Sequence, residues 1–153
     1  MTIRPGTKDD LPACIAILEQ MRGRYQAYEP QFWKRAPNAA VMSKAFLEML
    51  TAQESTLFLV SETDDAITGF ITAKPQPVPP VFTPGATALI DDFCVADDWL
   101  VTGAALLREA RSQLKARGFE QVVVITAYRH EDKMEMLKRE NLSLASAWWV
   151  GKP

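Results

Sequence analysis

This chain is short of the residues from which soft metal sites and hydrolytic triads are built. Its 153 residues contain one histidine, His130, and two cysteines, Cys14 and Cys94. A single His with no Cys/His pairing argues against a metal held by soft ligands, and no nucleophile-elbow sequence supports a Ser/His/Asp triad. Both cysteines lie in apolar runs and read as buried free thiols. Charge of one sign is also missing: the formal net charge is −2, and no basic stripe breaks the mixture, which argues against a nucleic-acid partner. No run approaches the ~20 apolar residues of a membrane span, and MTIRPGTKDDLP has no apolar leader region. The expectation is a soluble, cytoplasmic protein with no metal.

What is present is an ordinary globular composition, 48% hydrophobic and 24% charged, with no repeat or linker. A single domain over residues 1–153 is expected. The one break in composition is Lys74 to Gly85, whose five prolines predict a stiff loop between strands. Thr2 to Arg4 reads as a first strand. Thr7 offers an N-cap, and Leu11, Cys14, Ile15, Leu18 and Met21 follow at helical spacing. A second helix is predicted from Asn38 to Ala52, with Val41, Ala45, Leu47 and Met49 as its apolar side. Strands follow at Thr56 to Glu62 and Ala66 to Ala73, turning at Asp64 and Asp65.

The most informative segment is ALIDDFCVADDWLVTGAALLREARSQLKARGF, Ala88 to Phe119. It reads as a strand, a short turn bearing Gly103, an amphipathic helix and a glycine stop at Gly118. That helix would place Leu100, Ala104, Leu107, Ala110 and Leu114 on one face. A strand that feeds a helix N-terminus points backbone N–H groups at an anion, and so proposes a phosphate-bearing ligand. QVVVIT, Gln121 to Thr126, reads as a strand buried on both faces and parallel to ALIDDFCV. A last helix spans His130 to Glu140, with Met134 and Leu137 inward and His130 capping it or on the surface. SLASAWWV closes the chain as a strand. Trp148 and Trp149 then face opposite ways, one to the core and one available to an interface between copies, which allows a homodimer. The fold class is α/β, a mixed sheet with a central parallel strand pair and helices on both faces.

In this order and spacing the elements resemble the GNAT family of acyl-CoA-dependent N-acetyltransferases. IRPGTKDDLPACIAIL is similar to the family's opening strand and helix, and LFLVSETDDAITGFITA to its hairpin, where a pair such as Gly69-Phe70 is usual. HEDKMEMLKRENL resembles the segment N-x-x-A-x-x-L-Y-E-K-x-G-F. The resemblance implies acetyl-CoA as co-substrate. Its pyrophosphate would be cradled by the turn Leu100, Val101, Thr102, Gly103, Ala104 and Ala105, and its thioester carbonyl polarised by a strand N–H among Phe93, Cys94 and Val95. The departures are specific. The family's (Arg/Gln)-x-x-Gly-x-(Gly/Ala) is LVTGAA in one register and DWLVTG in the other, and neither carries the Arg or Gln. The turn is about two residues short. Leu137 stands where many members carry a Tyr, and Asn141-Leu142 replaces Gly-Phe.

Acetyl transfer requires a neutral amine, and an alkyl amine has a pKa of about 10.4 in water. Asp91 and Asp92 are the candidate bases. Strict alternation would set Asp92 beside Ile90 and Cys94, with Asp91 on the other face beside Leu89 and Phe93. One carboxylate then enters an apolar layer. A structural acid paired with an arginine is the competing role. Tyr28, Phe32 and Trp33, with Tyr25, wall the acceptor pocket in the resembled fold. Arg22, Arg24, Lys34 and Arg35 surround them and suit a carboxylate-bearing acceptor; covering one end of the core is the plainer role. Tyr128 could stand in for the missing Tyr. The function implied is acetyl transfer to a primary amine of a small molecule or peptide. The alternatives are a catalytically degenerate member of the fold that binds a ligand, and a protein-interaction module.

Overall fold

The computed structural model describes residues 1–96 and 98–153. Five strands, β1 (Thr2–Pro5), β2 (Leu57–Thr63), β3 (Ala66–Gln76), β4 (Thr87–Val95) and β5 (Gln121–Val124), form one sheet in the order β1-β2-β3-β4-β5. The first four run antiparallel, and β4 and β5 are parallel. β2 and β3 are joined at Asp64 and Asp65, both at positive φ (50° and 61°), as a two-residue hairpin turn of the I′ kind requires. The parallel pair lies at one edge of the described sheet rather than in its centre. β5 is accordingly half-open, with Val123 41% exposed, and stops two residues before the end of QVVVIT.

Helices cover both faces. On one, α1 (Leu11–Tyr28) and α2 (Ala39–Thr51) pack Leu11, Cys14, Ile17, Leu18 and Leu47 on Val60, Phe70 and Cys94. On the other, α3 (Ala104–Ala116) and α4 (Glu131–Arg139) bring Leu106, Leu107, Ala110, Leu114, Met136 and Leu137 to Leu59, Ile71, Ile90 and Phe93. The start of α1 is pinned by a polar cluster. Arg4 holds the Asp10 carboxylate through two 2.8 Å bonds, and Thr7 donates to the same carboxylate from its N–H (2.7 Å) and hydroxyl (2.9 Å). These donors favour the ionised form and hold Asp10 down at about 2.

Three sequence expectations fail for local reasons. α2 buries Ser43, Leu47 and Leu50, whereas Val41, Ala45 and Met49 face outward, because its inward stripe is only one residue wide per turn. Leu100 is not on the α3 face. Trp99–Gly103 is a π-turn, with Gly103 N–H reaching Asp98 O at 3.3 Å, and the widened turn carries Trp99 inward and Leu100 out. SLASAWWV forms no strand, for no described strand pairs beyond β5; Trp148 and Trp149 are exposed, Trp148 leaning on Phe32 with ring centroids 6.0 Å apart. Among the described residues, no helix is long and apolar enough to cross a membrane.

Candidate functional site

The site begins with a break in strand alternation. Ala73 faces Ile90 and Ile71 faces Phe93, so Thr72 alone opposes both Asp91 and Asp92. This bulge resets the side-chain alternation. Ile90 and Phe93, three residues apart, both enter the α3-side core, while Cys94 enters the α1-side core. Asp91 and Asp92 therefore do not take opposite faces as alternation predicts; both line one cavity on the α1 side. Asp91 is partly exposed and lies 3.8 Å from the Lys74 amine. Among the described residues no side chain hydrogen-bonds the Asp92 carboxylate. Burial, then the neighbouring Asp91 charge, push Asp92 above the ordinary carboxylate range, against the pull of Arg22, Lys133 and Lys74.

The cavity holds about 220 Å³. Tyr25, Phe32 and Trp33 wall it, and Met21, Ile125 and Lys133 also line it. Tyr28 is not part of the wall; its ring is tilted against that of Tyr25, 6.1 Å between centres. Arg22, Lys34 and Arg35 also line the cavity. Arg22 and Arg35 share Glu19, and Arg22 also donates to the Ser43 hydroxyl. Among the described residues Lys34 has no ion pair. The chamber thus combines two acids with three basic side chains, a composition suited to a ligand carrying both an amine and an acid.

Behind the cavity β4 and β5 separate. Their pairing ends at Ile90 with Val124, extended by Ile125 N–H to Ile90 O at 3.1 Å. Ala96 N–H turns the other way, to Thr68 O on the β3 side at 2.8 Å. Strand alternation then directs the Phe93 and Val95 main-chain groups toward the opening and those of Cys94 toward β3. The opening is not empty. Lys133, 1% exposed, donates from Nζ to Phe93 O (3.1 Å) and Ile125 O (3.0 Å), with its ammonium 5.0 and 5.1 Å from the Phe93 and Trp99 ring centres. Burial lowers this lysine to about 8. A lysine on a short charged helix reads as a solvated side chain, so its role was not visible in composition or periodicity. The available signal was its place in HEDKMEMLKRENL, where it occupies the Ala of N-x-x-A.

The turn from Leu100 to Ala105 opens α3, but several of its amides are already engaged. Asp98 takes the Leu100 N–H on its carboxylate at 2.7 Å, and Asp98 O accepts from Thr102 (2.8 Å) and Gly103 (3.3 Å). Asp98 also shares a pocket of about 300 Å³ with Asp132 and Glu135. For acetyl-CoA the fit is divided. The paired carbonyls in the strand opening suit the N–H groups of an amide-bearing arm, whereas an Asp98-capped turn beside two further acids is a poor seat for a pyrophosphate. Gly103 serves packing: a Cβ there would lie 2.8 Å from Cε3 of Trp99. The Trp99 ring is itself wedged between Phe93 and His130, at 5.0 and 4.9 Å. Gly103→Val is therefore expected to cost about 1–3 kcal/mol by overpacking, read as a Tm lowered by roughly 2–4 °C per kcal/mol. An unchanged Tm would show that Trp99 has room to move.

His130 is not at the surface. It holds the N-cap position of α4, although its side chain makes no capping bond; it is 3% exposed, with Nδ1 3.3 Å from the Tyr25 hydroxyl and Nε2 lacking a partner among the described residues. Met134 is only half-buried, and Lys133 and Met136 take the inward positions with Leu137. Tyr128 is exposed and lies under Arg129, its ring centre 5.2 Å from the guanidinium. Cys14 and Cys94 are buried free thiols, both pushed up by burial, Cys14 to about 12. Among the described residues no group of three or more His, Cys, Asp and Glu side chains could hold a metal.

Comparison with known proteins places this architecture. The chain is similar over its whole length to a tetramutant of a Bacillus halodurans protein (TM-score 0.83, 14% identity, 100% of both chains covered). It also resembles an aminoglycoside 6'-N-acetyltransferase from Acinetobacter haemolyticus (TM-score 0.73, 12% identity, 100% of this chain and 99% of that one). A third likeness is to a ribosomal-protein-alanine N-acetyltransferase from Brucella melitensis biovar Abortus (TM-score 0.66, 15% identity, 99% of both). At these identities the likeness is one of fold. No curated protein matches the chain in sequence. The sequence model of the acetyltransferase (GNAT) family matches residues 18–139, which spans the bulged strand, the turn, α3 and α4. The chain belongs to the GNAT acetyltransferase family.

Proposed function

We propose that this protein transfers an acetyl group from acetyl-CoA to the primary amine of a small molecule or peptide. The observation that carries this reading is the β4 bulge. It places Asp91 and Asp92 in one walled cavity, with Asp92 held above the usual carboxylate range, next to strand N–H groups that face the β4–β5 opening. Acetyl-CoA, when bound, supplies an activated acyl carbonyl and a thiolate leaving group. Asp92 accepts the proton that the amine must lose to become nucleophilic. The N–H groups of Phe93 and Val95 donate toward the place where charge gathers on the carbonyl oxygen. Tyr25, Phe32 and Trp33 orient the acceptor, and Lys34 with Arg35 holds an acid on it. A thiol of the cysteine type, with a pKa near 8.5, leaves as its anion without a dedicated Tyr, consistent with Leu137 on α4 and an outward Tyr128. A cytoplasmic setting and a homodimer joined through the exposed Trp148 and Trp149 belong to the same reading.

Thiol release from acetyl-CoA in the presence of an amine panel tests it. The panel includes amino acids, an aminoglycoside and a peptide with a free N-terminus, the last two because two fold neighbours are named for such acceptors. Amine-dependent thiol release is expected, strongest with an acceptor bearing an acid. A second reading, a member of the fold that binds without turnover, is favoured by Asp98 on the Leu100 amide and by Lys133 in the strand opening. CoA at 100 times its Kd should stabilise the protein by about 2.7 kcal/mol. Stabilisation without thiol release on any amine would establish the second reading over the first.

A further inference from the structure

Lys133 is buried, yet among the described residues no carboxylate bonds it directly; its two hydrogen-bond partners are the main-chain carbonyls of Phe93 on β4 and of Ile125 just past β5. Burying a cation on neutral acceptors is costly, and the depressed proton affinity of this amine, at about 8, is the trace of that cost. A lysine used only to join two strands would be an expensive device where a leucine could fill the same space. The two carbonyls, however, need a donor. They belong to the stretch where β4 and β5 no longer pair, so no strand N–H reaches them. The seat they form with the Phe93 and Trp99 rings accepts an N–H group carried on a narrow chain, and Lys133 is such a group, supplied by the protein itself.

We infer that Lys133 is the latch of the β4–β5 opening: its amine occupies the seat that an amide N–H of the CoA arm takes, so that CoA binds only by displacing it. This rests on the acetyl-CoA reading above. The direction of withdrawal is set by the cavity, which Lys133 already lines together with Asp92. Released from the carbonyls, the ammonium moves toward Asp92 and Asp91, the carboxylates whose charges act on it and which line the same cavity. Donor binding would then bring a cation up to the proposed base. Donor affinity is thereby set by how readily this one side chain leaves, which makes Lys133 a determinant of donor binding and not a catalytic residue.

Free CoA is the probe, titrated by calorimetry into the wild-type protein and Lys133→Ala. The variant is expected to bind at least tenfold tighter, about 1.4 kcal/mol, since no side chain has to be displaced. A second measurement needs no variant. The amine of Lys133 in the wild-type protein should be protected from an acylating reagent such as an N-hydroxysuccinimide acetate, and saturating CoA should raise its labelling several-fold, read by peptide mass spectrometry. Equal, measurable affinity of the two proteins, or labelling of Lys133 unchanged at saturating CoA, overturns the latch and leaves the cofactor reading intact. Absence of CoA binding by both proteins overturns the cofactor reading itself, and the latch with it.

Discussion

Asp92→Asn is expected to lower kcat/KM by about 10²- to 10⁴-fold, the usual worth of a positioned general base. Asp91→Asn should change it little. The two neighbours differ in environment. Asp91 is open to solvent and near Lys74, whereas Asp92 has no hydrogen-bond donor among the described residues and is pushed up by burial. A carboxylate so placed is a stronger base than a solvated one. The wild-type rate should fall on the acid side with an apparent pKa above the ordinary carboxylate range, and that limb should vanish in the Asn variant. Loss of fold does not explain such a result. A group whose native pKa is raised is disfavoured in its charged form by the native state, so Asn at 92 removes a cost at neutral pH. The Asn variant should therefore unfold at the same or a higher temperature. Rates within twofold of wild type at every pH would remove Asp92 from the mechanism.

The fold was legible where one physical signal dominated. The α1 stripe, the Asp64-Asp65 turn and the β4–α3–β5 crossover each follow from periodicity or turn chemistry, and the structure has all three. The site was legible only as a list of residues. That Asp91 and Asp92 share a cavity depends on the bulge opposite Thr72, and no Gly or Pro marks it. Its cause is long-range: Ile71 and Ala73 on β3 must both meet core residues of β4, and Ile90 and Phe93 are spaced by three. Trp99 is a second case. Helical spacing offered Leu100 as the inward residue, but a π-turn rotates the neighbour in, and the space beside Gly103 admits its ring. The C-terminal tail failed in the opposite sense. Its alternation is that of a strand, but alternation does not supply a partner.

Stability should fall steeply between pH 6.5 and pH 4, and His130 should account for most of the fall. Its native pKa is lowered from 6.5 to about 4, first by burial and then by the charges of Lys133 and Arg24, with Asp132 opposing. Tyr25 and Trp99 pack on its ring, and Nε2 has no acceptor among the described residues. In that window the unfolded chain binds a proton that the native chain does not, so stability rises with pH and is lost as pH falls. The difference of about 2.5 units corresponds to about 3 kcal/mol. Asp10 acts in the same sense but lower, between its unfolded value and about 2. Asp92, raised instead of lowered, acts in the opposite sense, gaining its proton first in the native state. The wild-type curve alone therefore mixes contributions, and the difference between wild type and His130→Gln isolates one of them. Urea unfolding at intervals from pH 7 to pH 4 should show the variant losing about 3 kcal/mol less than wild type. Parallel curves would mean that His130 titrates normally, and hence that the ring leaves its seat between Tyr25 and Trp99 when it gains a proton.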